Sequence, residues 1–378
     1  MSLTKIVYCT PSLYIAGGIE RVLTTKANWL AEHGYDVTII LTDGKGKTPY
    51  YTLSSKVKTI QLDINFEELW YLPFWKKAVT YLRKQRIFKR KLTETILEIK
   101  PDFTVSLLRR EINFITSIKD GSKKYGEMHI NREHYRNFEK GNTNFFKDLF
   151  SKLWMSSLIK KLKKLDKLFV LSEEDKIKWT ELNNVEAIPN PIPFTSDLTS
   201  SLVNKTAISV GRYVHEKGFD LLLEAWEIVH KQYPDWKLQI YGTGERTQYQ
   251  TIAAKLNLGE SCILNGATTN VQQCYAESSL YILSSRFEGF GMVIIEAMSC
   301  GLPVVSFDCP CGPRSIIKHG INGLLTPAEN PQKLAEAICG LISSKETMLS
   351  MSEKGKATAR EYNIDNIMKR WETQFSTT

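Results

Sequence analysis

Glu288 and Glu296 are separated by seven residues, and Gly289-Phe290-Gly291 directly follows the first of them. From Arg286 to Pro303 the chain reads R-F-E-G-F-G-M-V-I-I-E-A-M-S-C-G-L-P. Upstream, the apolar run Leu280-Tyr281-Ile282-Leu283 predicts a buried strand. Downstream, Met292, Ile295, Ala297 and Met298 predict the inward face of a helix. A glycine turn at a helix start offers free backbone N–H groups beside the positive end of the helix dipole, a setting that suits phosphate. A carboxylate in that turn can cap the helix, or it can accept hydrogen bonds from neutral hydroxyls such as those of sugars and ribose. Glu288 is open between those two uses, and Glu296 between a solvated helix position and a ligand contact. The Gly-x-Gly, the Cys300-Gly301-Leu302-Pro303 turn and the Val304-Val305 run share one register, which favours the ligand reading of both acids.

Such a turn needs a scaffold, and 378 residues suit two domains of comparable size. A hydrophobic content of 42% and a charged content of 24% are those of a globular protein. No stretch approaches the roughly 20 apolar residues of a membrane span. The first residues lack a basic region followed by an apolar core, which predicts cytoplasmic residence. Seven scattered cysteines do not form a disulfide framework, and Cys309 and Cys311 lack a second pair at metal-ligand spacing. With no Asp-x-Asp and no His-x-x-x-His, no metal site is expected. The net charge of +9 gathers in two blocks, Lys76 to Lys100 and Lys147 to Lys167. The second interleaves Leu153, Trp154, Met155, Leu158, Ile159, Leu162 and Leu165 with lysines. That pattern fits an interfacial helix or an ordinary amphipathic helix packed on its own domain. Nucleic acid is not expected as a partner, since no recognition motif accompanies the basic patches.

Two similar patterns of elements follow one another. Ile6-Val7-Tyr8, the turn Ala16-Gly17-Gly18, a helix from Ile19 to Glu32, Gly34 and Val37 to Leu41 predict one parallel strand–helix–strand unit. The Gly17-Gly18-Ile19-Glu20-Arg21 turn falls beyond the C-terminal end of a strand, where doubly wound sheets bind ligands. It is not Gly-x-Gly-x-x-Gly, which weakens a nicotinamide oxidoreductase reading. Further strands are expected at Phe103–Leu107, Glu127–Ile130 and Lys167–Leu171. Asn190-Pro191-Ile192-Pro193-Phe194 ends the first domain, because its prolines cannot continue a helix. The pattern restarts with a strand at Thr206–Val210, the turn Gly211-Arg212 to Lys217-Gly218 and a helix from Asp220 to Tyr233. Strands at Lys237–Tyr241, Cys262–Leu264, Tyr281–Leu283, Val304–Ser306 and Gly323–Leu325 continue it, and a helix near Asp365–Phe375 closes the chain.

Together these pieces resemble the retaining glycosyltransferases of family 4, over nearly the whole chain and most strongly from about Ala207 to Pro327. The matching residues are Gly17-Gly18-Ile19-Glu20-Arg21, Glu133-His134, Ile188-Pro189-Asn190-Pro191-Ile192, Gly211-Arg212 with Lys217-Gly218, Glu288 to Glu296 and Gly320-Ile321-Asn322-Gly323. Asp308-Cys309-Pro310-Cys311-Gly312-Pro313-Arg314 looks like the version in hexosyl and N-acetylhexosaminyl transferases of surface-polysaccharide assembly. The resemblance implies an α/β, GT-B fold: two facing Rossmann-like domains with parallel sheets and a C-terminal helix returning to the first. It implies an acceptor domain at 1–190, joined by about 360–378, and a nucleotide-sugar domain at 195–360. By the same resemblance Arg212 and Lys217 stabilise the departing diphosphate without a metal, Glu288 holds sugar hydroxyls and Glu296 accepts ribose hydroxyls. The N–H groups at Phe290 and Gly291, after Gly289, meet phosphate. Gly17, Gly18 and Asn190 join the donor-binding set. His134 bonds the sugar or orients the attacking hydroxyl, although Asn131-Arg132 before it departs from the common form.

The expected reaction is retaining transfer of a hexose or N-acetylhexosamine from a nucleotide sugar, UDP-linked by expectation, to a saccharide acceptor expected to be lipid-linked. Its setting would be surface polysaccharide or lipopolysaccharide synthesis, with an anionic membrane surface as a further partner and no cofactor. A GDP-mannose-type donor and a non-catalytic sugar-nucleotide-binding subunit stay open beside it.

Overall fold

The computed structural model of the chain describes residues 3–132, 145–194 and 196–376. The chain divides into two compact units, Met1–Pro193 with Ile367–Thr378 and Phe194–Asn366.

The first unit begins β1 (Lys5–Thr10), α1 (Gly18–Glu32), β2 (Asp36–Leu41), β3 (Lys58–Gln61) and α2 (Phe74–Ile99). It continues β4 (Phe103–Ser106), β5 (Lys123–Glu127), α3 (Phe145–Leu162), β6 (Lys167–Val170), α4 (Glu173–Lys178) and β7 (Val185–Ala187). The seven strands are all parallel, in the order β3-β2-β1-β4-β5-β6-β7. Ile6, Val7, Phe103, Val105, Leu168 and Val170 are fully buried, as strands covered on both faces must be.

The second unit repeats the plan with β8 (Thr206–Val210), α5 (Phe219–Gln232), β9 (Lys237–Tyr241), α6 (Thr247–Lys255), β10 (Cys262–Asn265) and α7 (Val271–Ala276). Then come β11 (Leu280–Leu283), α8 (Met292–Ser299), β12 (Val304–Phe307), α9 (Pro313–Ile316), β13 (Leu324–Thr326), α10 (Pro331–Ile342) and α11 (Lys345–Glu361). Its six strands are parallel in the order β10-β9-β8-β11-β12-β13. In each sheet the order reverses once, between β1 and β4 and between β8 and β11. A doubly wound sheet opens its ligand crevice at such a reversal, beyond the C-terminal strand ends.

The last helix, α12 (Ile364–Phe375), returns to the first unit. Trp371 packs 4.5 Å from the Phe169 ring and Phe375 5.2 Å from Phe103, while Tyr125 Oη donates to the Gln374 carbonyl at 2.9 Å.

Several sequence expectations shift by a few residues. The strand expected at Glu127–Ile130 is β5, which ends at Glu127. Its charged start hid it: Lys124 is buried because its amine bonds Asp120, Ser122 and Thr104. The short strands β3 and β7 were not anticipated, since neither has an apolar run. Met292 is only half buried, whereas Ile294, Ile295, Glu296, Ala297 and Met298 are all inside. The helix is covered on more than one side because α11 packs against it as well as the sheet.

Candidate active site

Two turns meet at the reversal point of the second sheet. One leaves β8 as Gly211 to Gly218, and the other leaves β11 as Ser284 to Gly291.

The first turn is anchored by Tyr213. Its amide donates to the Thr243 carbonyl at 2.7 Å, and its single hydroxyl proton is shared between the Ile240 and Asn265 carbonyls, both 2.9 Å away. Arg212 is exposed, and its guanidinium makes no hydrogen bond or ion pair among the described residues. The turn ends at Gly218, whose φ of +61° falls in the left-handed region. A Cβ there would lie 2.1 Å from the Ser284 carbonyl oxygen, so glycine alone lets the two turns touch.

Across that contact, Lys217 Nζ donates to Glu288 Oε1 at 2.6 Å, and Ser285 Oγ donates to the same oxygen at 2.6 Å. Ser284 Oγ donates to the Lys217 carbonyl at 3.0 Å. Arg286 ties the same pair of turns from outside. It forks onto Asp220 at 2.9 and 2.6 Å and donates to the His215 carbonyl at 2.7 Å. Burial pushes the Asp220 carboxyl up, but Arg286 outweighs it and holds the group below its ordinary value.

Glu288 therefore lies in the turn and does not act as the N-cap. That position belongs to Gly291, with φ +87°, and α8 starts at Met292. The first N–H groups of an α-helix lack a carbonyl one turn back, which suits an anion at this end of α8. Phe290 is buried against the Tyr362 ring, 5.7 Å between centroids, which fixes the turn from below. Glu296, one helix turn further along α8, is buried rather than solvated, and Tyr275 Oη donates to its Oε2 at 3.5 Å.

The Asp308–Arg314 loop presses on the same place. A Cβ on Gly312 would lie 2.9 Å from the Glu288 Cβ and 3.2 Å from the Phe290 carbonyl oxygen. Arg314 closes the loop with a forked pair to Asp308 at 2.8 and 2.6 Å. Cys309 and Cys311 are buried free thiols. Burial, with Glu288 adding to it, pushes the Cys309 thiol far above its ordinary value, so it stays neutral and poorly nucleophilic.

Glu288, Arg212, Lys217, Glu296, Gly289, Phe290 and Gly291 thus belong to the second unit, around one strand-order reversal. Gly17, Gly18 and Asn190 belong to the first unit. Gly17 is the N-cap of α1, Gly18 has open space where a Cβ would stand, and Asn190 is buried after β7. His134 and Glu133 lie outside the described residues. Ser285, Tyr275 and Arg286 were not singled out from the sequence. Their signal was present for Ser285 and Arg286, as polar residues directly after an apolar strand; Tyr275 gave none.

The geometry offers an exposed guanidinium, a half-buried ammonium, two buried carboxylates and a helix N-terminus. Such a set can hold a diphosphate by its cations and N–H groups and hydroxyl-rich rings by its acids.

Residues 197–358 match the family described as glycosyl transferases group 1. A chain of Haemophilus influenzae called an uncharacterized glycosyltransferase is 32% identical over 374 residues, covering 97% of this chain and 98% of that one. The amylovoran biosynthesis glycosyltransferase AmsD of Erwinia amylovora is 26% identical, with 97% and 98% covered. Among solved structures, a TarM mutant of S. aureus in complex with fondaparinux, alpha-GlcNAc-glycerol and UDP superposes with a TM-score of 0.78. It covers 99% of this chain and 100% of that one at 17% identity, a likeness of fold.

Proposed function

The chain belongs to the glycosyl transferases group 1 family, and from that membership we propose that it is a retaining, metal-independent enzyme of family 4. The reading is transfer of a hexose or N-acetylhexosamine from a UDP-sugar to a saccharide acceptor carried on lipid, in surface-polysaccharide or lipopolysaccharide synthesis at the cytoplasmic side of a membrane. AmsD is described as an amylovoran biosynthesis glycosyltransferase, and the Haemophilus influenzae chain as a glycosyltransferase without a named substrate. UDP is named in the TarM complex.

The observation that carries the reading is the Lys217–Glu288 pair at the sheet reversal, with Arg212 exposed beside it and a glycine turn opening α8. In the proposed reaction the bond from the anomeric carbon to the phosphate oxygen breaks, and its electron pair stays on the diphosphate. Arg212, Lys217 and the N–H groups at Phe290 and Gly291 stabilise that charge, a task fixed cations perform without a metal ion. The acceptor oxygen bonds the anomeric carbon on the same face, and its proton passes to the departing phosphate oxygen. Glu288 orients the sugar through its hydroxyls, and Glu296 accepts from the ribose. Neither acid is given the part of nucleophile, since each already receives hydrogen bonds from neighbours. His134 serves in the first unit, bonding the sugar or aligning the attacking hydroxyl, and Gly17, Gly18 and Asn190 complete the donor contacts.

Thermal unfolding of the protein with a panel of UDP-, GDP- and ADP-sugars in excess EDTA tests the reading. A donor at ~100 times its Kd stabilises by about 2.7 kcal/mol. Stabilisation by UDP-sugars is the expected result. Selective response to GDP-mannose would change the donor class, and response only with added divalent cation would sink the metal-free reading. Binding without turnover on any acceptor pool would leave a binding subunit.

A further inference from the structure

A short 3-10 turn, Phe66–Tyr71, and the first turns of α2 hold a row of large apolar side chains in the open. Trp70, Tyr71, Trp75, Val79 and Leu82 are 77%, 91%, 80%, 70% and 58% exposed. The last three recur at i, i+4 and i+7 and so share one face of the helix. The opposite face carries Phe88 and Leu92, which are buried in the core of the first unit. The helix therefore has its core-facing side already, and the exposed row is a second apolar stripe. Single exposed apolar residues are ordinary on a protein surface, whereas a contiguous row marks an interaction site.

The charge around the row says what fits it. Between Lys76 and Lys91 the helix carries eight lysines and arginines and no acid, while Glu67 and Glu68 of the preceding turn are paired with Lys47 and Lys84. Lys84 and Lys91 turn inward to the carbonyls of Ile64, Asn65 and Leu62. Lys76, Lys77, Arg83, Arg86 and Lys89 remain exposed beside the apolar row. Tryptophan and tyrosine favour the level of lipid headgroups, and flanking cations favour anionic lipid. Pairing with a second copy through this face would set the same cations against one another. The other basic segment is built differently. Leu158 and Leu162 of α3 and Leu165 after it are buried in the core, and Leu153 alone of the leucines from 153 to 165 is exposed.

We propose that the Trp70–Leu82 face docks on an anionic lipid bilayer, its aromatic rings seated among the headgroups and its cations against the lipid phosphates. This deepens the membrane-side reading above, yet the contact needs neither donor nor acceptor.

Flotation of the full chain with vesicles of phosphatidylcholine alone, or mixed with phosphatidylglycerol, tests it. The protein should rise with the mixed vesicles at low salt, far less with the neutral ones, and less again as salt is added. The variant Trp75→Ser/Val79→Ser/Leu82→Ser should lower the bound fraction at limiting lipid by about tenfold or more. Arg83→Glu/Arg86→Glu should weaken binding roughly fivefold or more per cation lost. Lys163→Glu/Lys164→Glu, beyond α3, should have a smaller effect. Wild-type protein that stays down with both vesicles, or a triple-serine variant that rises as wild type does, overturns the proposal. So does light scattering that shows a dimer which the triple-serine variant dissolves, since the occupant would then be a second copy. Donor-induced thermal stabilisation is read separately on the same variants and should be unchanged. Flotation without any donor response would leave the docking face standing and remove the transferase reading.

Discussion

At the scale of residues, Lys217 and Glu288 meet across two turns at 2.6 Å, so each holds the other's position. Lys217→Ala should lower kcat by the 2–4 kcal/mol typical of a lost transition-state donor, roughly 30- to 1,000-fold, measured as donor turnover with folding checked by circular dichroism. Glu296→Gln should act on binding instead. Replacing an ionised acceptor by a neutral one should raise the donor KM roughly tenfold with a smaller change in kcat. Arg212, Lys217 and Glu288 were legible because each stands in a turn that follows an apolar run, where strand ends deliver ligand contacts, and Glu296 because it follows that glycine turn into the helix. The Lys217–Glu288 ion pair was not, since residues 71 apart announce no mutual distance. Glu288 had helix capping as a competing use until Gly291 was found in the cap position.

At the scale of elements, the β8 and β11 turns touch where Gly218 meets the Ser284 carbonyl and where the Arg286 amide donates to the Glu216 carbonyl at 2.8 Å. Gly218→Ala forces a side chain into a left-handed conformation and against the Ser284 carbonyl oxygen. A loss of roughly 1–3 kcal/mol of stability is expected, read as a lower denaturant midpoint, together with weaker donor binding as Lys217 is displaced. Helices and buried strands were readable from apolar periodicity, as α1, α5 and α12 show. Failures came where burial was achieved by polar pairing. Lys124 enters the sheet because Asp120 and Ser122 satisfy its amine, a fact no hydropathy pattern expresses. The basic segment over α3 was open by spacing between an interfacial and a core-packed helix; Leu158, Leu162 and Leu165 fill the core while Leu153 stays exposed, and the larger exposed apolar row lies on α2.

At the scale of the whole molecule, a repeated order of apolar run, glycine turn and helix made two wound units legible. The place where α12 docks depended on a buried cluster invisible in the linear chain. Lys26 of α1 lies 3.5 Å from the Trp371 ring centroid of α12 and pairs with Glu127, which also meets His129 at 3.1 Å. Burial pushes the Glu127 carboxyl up, but Lys26 and His129 outweigh it and bring it down to about 2. Its value in the unfolded chain is about 4.3, so the stability it contributes is present above that pH and is lost as pH falls toward 2. Burial lowers Lys26, with Glu127 opposing the shift. Glu127→Gln, which leaves the Lys26 charge buried, should cost about 3–5 kcal/mol at neutral pH. That deficit should shrink between about pH 4 and pH 2, followed by denaturant melts of both proteins at each pH.

The central proposal is that the second unit holds a nucleoside diphosphate by protein cations and N–H groups, without a metal ion. Calorimetric titration with UDP in EDTA, on wild type and on Arg212→Ala, tests it most directly. The account predicts one site per chain in wild type and roughly tenfold or greater weakening in Arg212→Ala, whose melting temperature is unchanged. No binding in EDTA with binding restored by divalent cation, or equal affinity in both proteins, would contradict it.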